Sequence, residues 1–165
     1  MIVRRLLATS VLLLLVPGLC ATAGAGSKAT NFTVRDINSK HVRLSDFSTK
    51  LVLLNFWATW CKPCMVELKH LEKIYQKYRS RGFVVLAVSM DGSETQAKVK
   101  PFIRRYKLSF PVVVDSETHI VKLYNPKHSA PFSVYINRGR VVKQREGFQV
   151  SDLPAIEKEI ADLLK

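Results

Sequence analysis

At 165 residues the chain has room for one ordinary domain plus a targeting segment, and its 47% hydrophobic content is compatible with a packed core. The formal charge of +13 could draw acidic proteins, anionic lipid or nucleic acid. Lys and Arg are scattered over all segments, however, so a generally basic surface with at most weak attraction to anionic surfaces is the simpler reading, and no nucleic-acid partner is expected.

In chain order, Arg4-Arg5, the apolar stretch Leu6 to Val16, Pro17-Gly18 and Ala21-Thr22-Ala23 read as a secretory signal peptide over residues 1–23, cleaved after Ala23. The alternative is an uncleaved anchor, although the strongly apolar part is short of the roughly 20 residues a span needs. Leu19 is too large beside Cys20 for an ordinary lipidation signal. Of the 26 basic residues, cleavage removes Arg4 and Arg5, leaving 24 against 13 acidic residues, a net +11. It also removes Cys20, so Cys61 and Cys64 remain without a competing thiol.

Residues 24–30, rich in Ala, Gly and Ser, read as a linker to a domain over 31–165. Phe32 to Val34 and Val42 to Leu44 predict an opening hairpin around Asp36-Ile37-Asn38-Ser39. Leu51 to Trp57 is nearly continuous in apolar residues, as expected for a strand covered on both faces. A helix is expected from about Lys62 to Tyr78, with Pro63 tolerated in its first turn. Phe83 to Val88 predicts a second buried strand, and the stretch to about Tyr106 an amphipathic helix that Pro101 either kinks or delays. Short elements follow: a strand over Pro111 to Asp115 and a helix over Ile120 to Tyr124. Phe132 to Ile136 and Val141 to Lys143 flank a turn at Asn137-Arg138-Gly139-Arg140, and a last helix starts near Ser151 or Asp152, either able to cap it. Alternating strands and helices predict an α/β fold with a central mixed sheet, helices on both faces and an N-terminal β-hairpin extension.

The chemistry concentrates at Trp60-Cys61-Lys62-Pro63-Cys64, where a buried strand delivers two thiols to the start of a helix. The first turn of a helix brings two such cysteines within bonding range. Cys61 then sits where unpaired N–H groups and the macrodipole favour a thiolate, the attacking species in disulfide exchange. A bridge over so small a loop adds little loop-entropy stabilisation, which favours chemistry over a structural staple. Trp60 is expected to be partly exposed beside Cys61, and Trp57 to be packing.

Phe56-Trp57-Ala58-Thr59-Trp60-Cys61-Lys62-Pro63-Cys64, with Glu67, Val84 to Asp91, Phe110-Pro111 and Pro131, resembles the TlpA/ResA-like branch of the thioredoxin superfamily. The resemblance spans roughly residues 30 to 165. It implies a thioredoxin fold and an extracytoplasmic thiol–disulfide oxidoreductase, periplasmic in a bacterium, usually a reductant of client proteins, with some relatives serving cytochrome c maturation. Its electrons would come from a membrane or extracytoplasmic thiol donor, and the Cys61–Cys64 pair would serve in place of any cofactor. The resemblance also implies a cis peptide bond before Pro131, with Ala130 offering its backbone to an extended client segment; an edge-strand proline is the plainer alternative. Asn55 stands where cytoplasmic thioredoxins carry a buried aspartate, which makes Glu67 the candidate acceptor for the Cys64 proton. Glu67 reads equally as a helix acid complementing the macrodipole. Lys62 either tunes the Cys61 thiolate or is an ordinary solvated cation. Two departures stand out: Lys69 replaces a helix-kinking proline, and Phe132 replaces the usual threonine after the cis proline.

Other chemistries fit less well. Zinc through Cys-x-x-Cys lacks a second pair, since His41, His70, His119 and His128 show no ligand spacing, and haem attachment fails because Met65 follows Cys64. A basic, non-enzymatic adaptor and a disulfide-forming oxidant with the same site remain as alternatives.

Overall fold

The computed structural model describes residues 26–165; the signal-peptide reading of residues 1–23, with Cys20, lies outside them. Strands β1 (Thr33–Arg35) and β2 (His41–Arg43) form the opening hairpin, antiparallel with Val34 opposite Val42. It ends one residue earlier than the sequence suggests, because buried Leu44 opens a 3-10 turn, Leu44–Phe47. The chain then builds β3 (Leu51–Trp57), α1 (Lys62–Tyr78), β4 (Phe83–Ser89), α2 (Val99–Arg105), β5 (Val112–Val114), α3 (His119–Tyr124), β6 (Phe132–Asn137), β7 (Arg140–Glu146) and α4 (Leu153–Leu163).

Five strands make one sheet in the order β5-β4-β3-β6-β7. β3 pairs parallel with β4 and antiparallel with β6, which makes the sheet mixed and puts β3 at its centre. Every residue of β3 and of β4 is buried. Successive side chains of a strand point to opposite faces, so β3 feeds two cores. Leu51, Leu53 and Trp57 join Leu68 and Leu71 of α1, Val99 and Ile103 of α2 and Ile156 and Ile160 of α4. Val52, Leu54 and Phe56 join Ile120 and Val121 of α3 and Val42 of the hairpin. Asn55, between these apolar neighbours, is fully buried on the α1 side of the sheet.

Local chemistry accounts for the boundaries. Pro101 is the third residue of α2, where its missing N–H costs nothing, so the helix starts at Val99 after a 3-10 turn at Gln96–Lys98. α1 runs unbroken through Lys69. β7 extends three residues beyond the expected Lys143; its Lys143, Gln144 and Glu146 are exposed on an edge strand and give no apolar signal. The β6–β7 turn has positive φ at both Arg138 and Gly139, the geometry that matches strand twist in a tight hairpin. Asp152 takes the N-cap position of α4 as expected, but its side chain makes no capping hydrogen bond to that helix. The Asp152 carboxylate instead turns back to accept the Gln149 N–H at 2.8 Å, closing a capping box around a 3-10 turn at Val150–Asp152. Of the stretch read as a linker, Ala29 donates to the Gly139 carbonyl and Ser27 accepts from Val141 N–H, so it lies along the β6–β7 hairpin. Gly26 permits this approach, since a Cβ there would fall 1.7 Å from the Val141 oxygen.

Candidate active site at the start of the first long helix

β3 ends at Trp57, and Ala58, Thr59 and Trp60 carry the chain over to α1 at its C-terminal edge. The Asp91 carboxylate fixes this crossing: it accepts the Thr59 N–H at 2.9 Å, the Thr59 hydroxyl at 2.5 Å and the Ser89 hydroxyl at 2.7 Å. Asp91 itself is fully buried just beyond β4. Its three donors compensate for the cost of taking the side-chain oxygens out of water. Met90 N–H donates to the Trp57 carbonyl at 2.8 Å, a second tie between the two loops.

Cys61 is the N-cap of α1, and its sulfur accepts the Cys64 N–H at 3.3 Å. The two cysteines are joined by a disulfide, with Cα atoms 5.3 Å apart. Their accessibilities differ: Cys61 is 6% exposed and Cys64 fully buried. Pro63 occupies the first turn, where a missing N–H is harmless. Lys62 is exposed, and Trp60, 60% exposed, stands beside the pair. Trp57 is fully buried and packs on Phe102, ring centroids 5.2 Å apart.

Glu67 lies one turn beyond Cys64 on the buried side of α1 and is only 2% exposed, unlike a solvated helix acid. Its Oε2 accepts Asn55 Nδ2 at 2.9 Å, and the same amide donates to Ser133 Oγ at 3.0 Å. Burial pushes the Glu67 carboxyl up from 4.5 to about 7; the Asn55 hydrogen bond and the Arg145 charge oppose that shift, and Asp152 adds to it. Asn55 Oδ1 has no partner among the described residues.

The loop after α3 closes the site. The Ala130–Pro131 peptide bond is cis. Phe132 pairs with Phe56 in the β3–β6 register, so Pro131 lies level with Trp57 at the cysteine-bearing end of the sheet. Pro131 is buried and Ala130 half-buried. Asn125 braces this loop, exchanging hydrogen bonds with Ser129 at 2.7 and 3.0 Å. Phe132 packs against Phe56, centroids 6.1 Å apart, and lines a groove with Leu123 and Glu146.

The fold thus brings Trp60, Cys61, Lys62, Pro63, Cys64, Glu67, Ala130 and Pro131 to one end of the sheet. Sequence reasoning assigns no role to Asp91, Ser133 or Asn125, and it sees Asn55 only as a missing aspartate. A polar residue inside an otherwise apolar central strand is the available signal for Asn55. Ser133 needs the sheet register, which sets it opposite Asn55.

The sequence profile described as the AhpC/TSA family matches residues 25–150. The chain belongs to this family. A thiol-disulfide oxidoreductase ResA from Bacillus thuringiensis subsp. konkukian is 39% identical over 128 residues, 77% of this chain and 72% of the relative. A crystal structure from Chlorobium tepidum, described as a thiol:disulfide interchange protein DsbE, superposes with a TM-score of 0.78 at 32% identity, over 87% of this chain and all of the other. The pneumococcal exposed lipoprotein thioredoxin Etrx1 superposes with a TM-score of 0.65 at 31% identity, over 79% and 99%. With its Cys61–Cys64 disulfide, this member of the family is a thiol–disulfide oxidoreductase of thioredoxin fold. Among the described residues, no helix is long and apolar enough to cross a membrane, and no three His, Cys, Asp or Glu side chains are grouped to hold a metal ion.

Proposed function

We propose that the protein reduces disulfides of extracytoplasmic client proteins, with Cys61 as nucleophile and Cys64 as resolving thiol. The unequal accessibility of the two sulfurs supports this reading most directly, because a client can approach Cys61 at the helix N-cap but not the enclosed Cys64. In the reduced protein, the Cys64 N–H and the helix terminus stabilise a Cys61 thiolate. That thiolate attacks a client disulfide, forming a mixed disulfide and expelling one client thiolate. Glu67 then takes the Cys64 proton, and Cys64 attacks the Cys61 sulfur, expelling the second client thiolate and leaving the enzyme oxidised. Two electrons pass to the client. A carboxyl titrating near 7 suits that transfer at neutral pH.

Ala130, outside the β6 register, offers its backbone to an extended client segment beside Pro131, while Trp60, Lys62 and Pro63 form the opposite wall. A membrane or extracytoplasmic thiol donor restores the reduced state. The family resemblance points to the cysteine pairs of cytochromes c under maturation as one client class, and to the periplasm as the compartment. The experiment is trapping: Cys64→Ser accumulates mixed disulfides with clients, and Cys61→Ser captures none. Full multiple turnover by the Cys64→Ser protein would contradict the resolving role.

A further inference from the structure

On the flank of the disulfide nearest α2, a groove of about 380 Å³ opens between the active-site loop and that helix. Thr59 and Met65 form its inner edge, and Phe102 and Tyr106 its apolar wall. Lys98 and Arg105, both exposed, close the outer side. Lys69 lies over the Tyr106 ring with its Nζ 4.0 Å from the centroid, which adds a third cation.

The charge here is one-sided. Between Thr95 and Val114 the sequence carries Lys98, Lys100, Arg104, Arg105 and Lys107 and no acidic residue. All five are exposed, and none forms an ion pair among the described residues. Of the acids on the neighbouring elements, Asp91 holds Thr59 and Ser89, and Glu72 holds Ser109 and Gln76; Glu94, exposed in the loop before Lys98, is the single carboxylate left to offset five cations. The groove is also preformed, because Asp91 fixes Thr59, and Phe102 packs on both Trp57 and Tyr106. A concave site with apolar walls and unpaired cations at its rim favours an extended chain carrying both apolar and carboxylate side chains over a flat lipid surface.

We infer that this groove docks an acidic segment of the partner protein, next to the cysteine undergoing exchange, and so selects partners by the charge flanking their reactive cysteines. The inference rests on the exchange reading above. It places selection on the flank away from the Ala130–Pro131 edge.

The test uses reduced full-length protein and disulfide-bonded peptides of identical core with either Asp/Glu or Lys/Arg flanks. At low salt, wild type should react at least about tenfold faster with the acidic peptide, and the preference should shrink at high salt. Lys98→Glu/Arg105→Glu should abolish or reverse it. Arg79→Glu/Arg81→Glu makes the same change in net charge at the opposite end of β3, about 20 Å away, and should retain the preference. Equal rates for the two peptides in wild type, or equal loss of preference in the two variants, would overturn the groove. It would also fall if Lys98→Glu/Arg105→Glu lost binding to phosphatidylglycerol vesicles yet kept the peptide preference. Wild type that reduces neither peptide would instead sink the exchange reading.

Discussion

Replacing Glu67 with glutamine should change how stability responds to pH, and the direction follows from the site. Burial raises this carboxyl from 4.5 to about 7 in the folded protein, while in the unfolded chain it titrates at its ordinary value. Between those two values the folded state holds a proton that the unfolded state has released, so stability falls as pH rises. Below the lower value both states are protonated, and the carboxyl contributes no slope. At about 1.36 kcal/mol per pH unit, the interval corresponds to about 3 kcal/mol lost by the wild type once pH passes the folded value. The side-chain amide of the Glu67→Gln variant would keep the Asn55 hydrogen bond and cannot ionise. Urea unfolding of both oxidised proteins at about pH 4 and about pH 8 measures the effect, with the variant gaining about 3 kcal/mol on the wild type across that range. Asp162, Glu157 and Glu159, whose carboxyls lie below their ordinary values beside lysines and Arg145, respond alike in both proteins and cancel in the difference. A stability difference that stays constant with pH would refute the account of Glu67 as a carboxyl whose titration burial moves up to about 7.

Further outcomes follow from the same structure. Asp115→Ala removes the acceptor for the His119, Ile120 and Val121 N–H groups at the start of α3, and should cost about 1–2 kcal/mol by denaturant unfolding. Asp91→Ala leaves the Thr59 N–H and the Ser89 hydroxyl without their acceptor; the expected loss is about 1–3 kcal/mol, with faster hydrogen exchange at the Thr59 amide. Leu54→Ala, at a fully buried position in the core shared with α3, should lower stability by about 2–5 kcal/mol through lost burial and a residual cavity, read as a lower urea midpoint.

The apolar runs Leu51 to Trp57 and Phe83 to Val88 are enough to place two central strands, because a strand covered on both faces has no polar side. The stripe from Cys64 to Tyr78 places α1, and the Cys-x-x-Cys spacing at its start places the chemistry. These features are local, written in neighbouring residues whose periodicity and capping the backbone must follow. The edge strand β7 is legible only in part, since its outer residues are polar and its length comes from pairing with β6. The surroundings of Glu67 are not legible at all. Whether it is a solvated helix acid or a proton-holding carboxyl depends on Asn55, Ser133 and Arg145, which lie 12, 66 and 78 residues away in sequence. Residue order alone thus dictates which two sulfurs meet and on which kind of element. Which of them is enclosed, and what holds the loop before them, emerges only on folding, because desolvation and hydrogen bonding are set by groups brought together from distant parts of the chain.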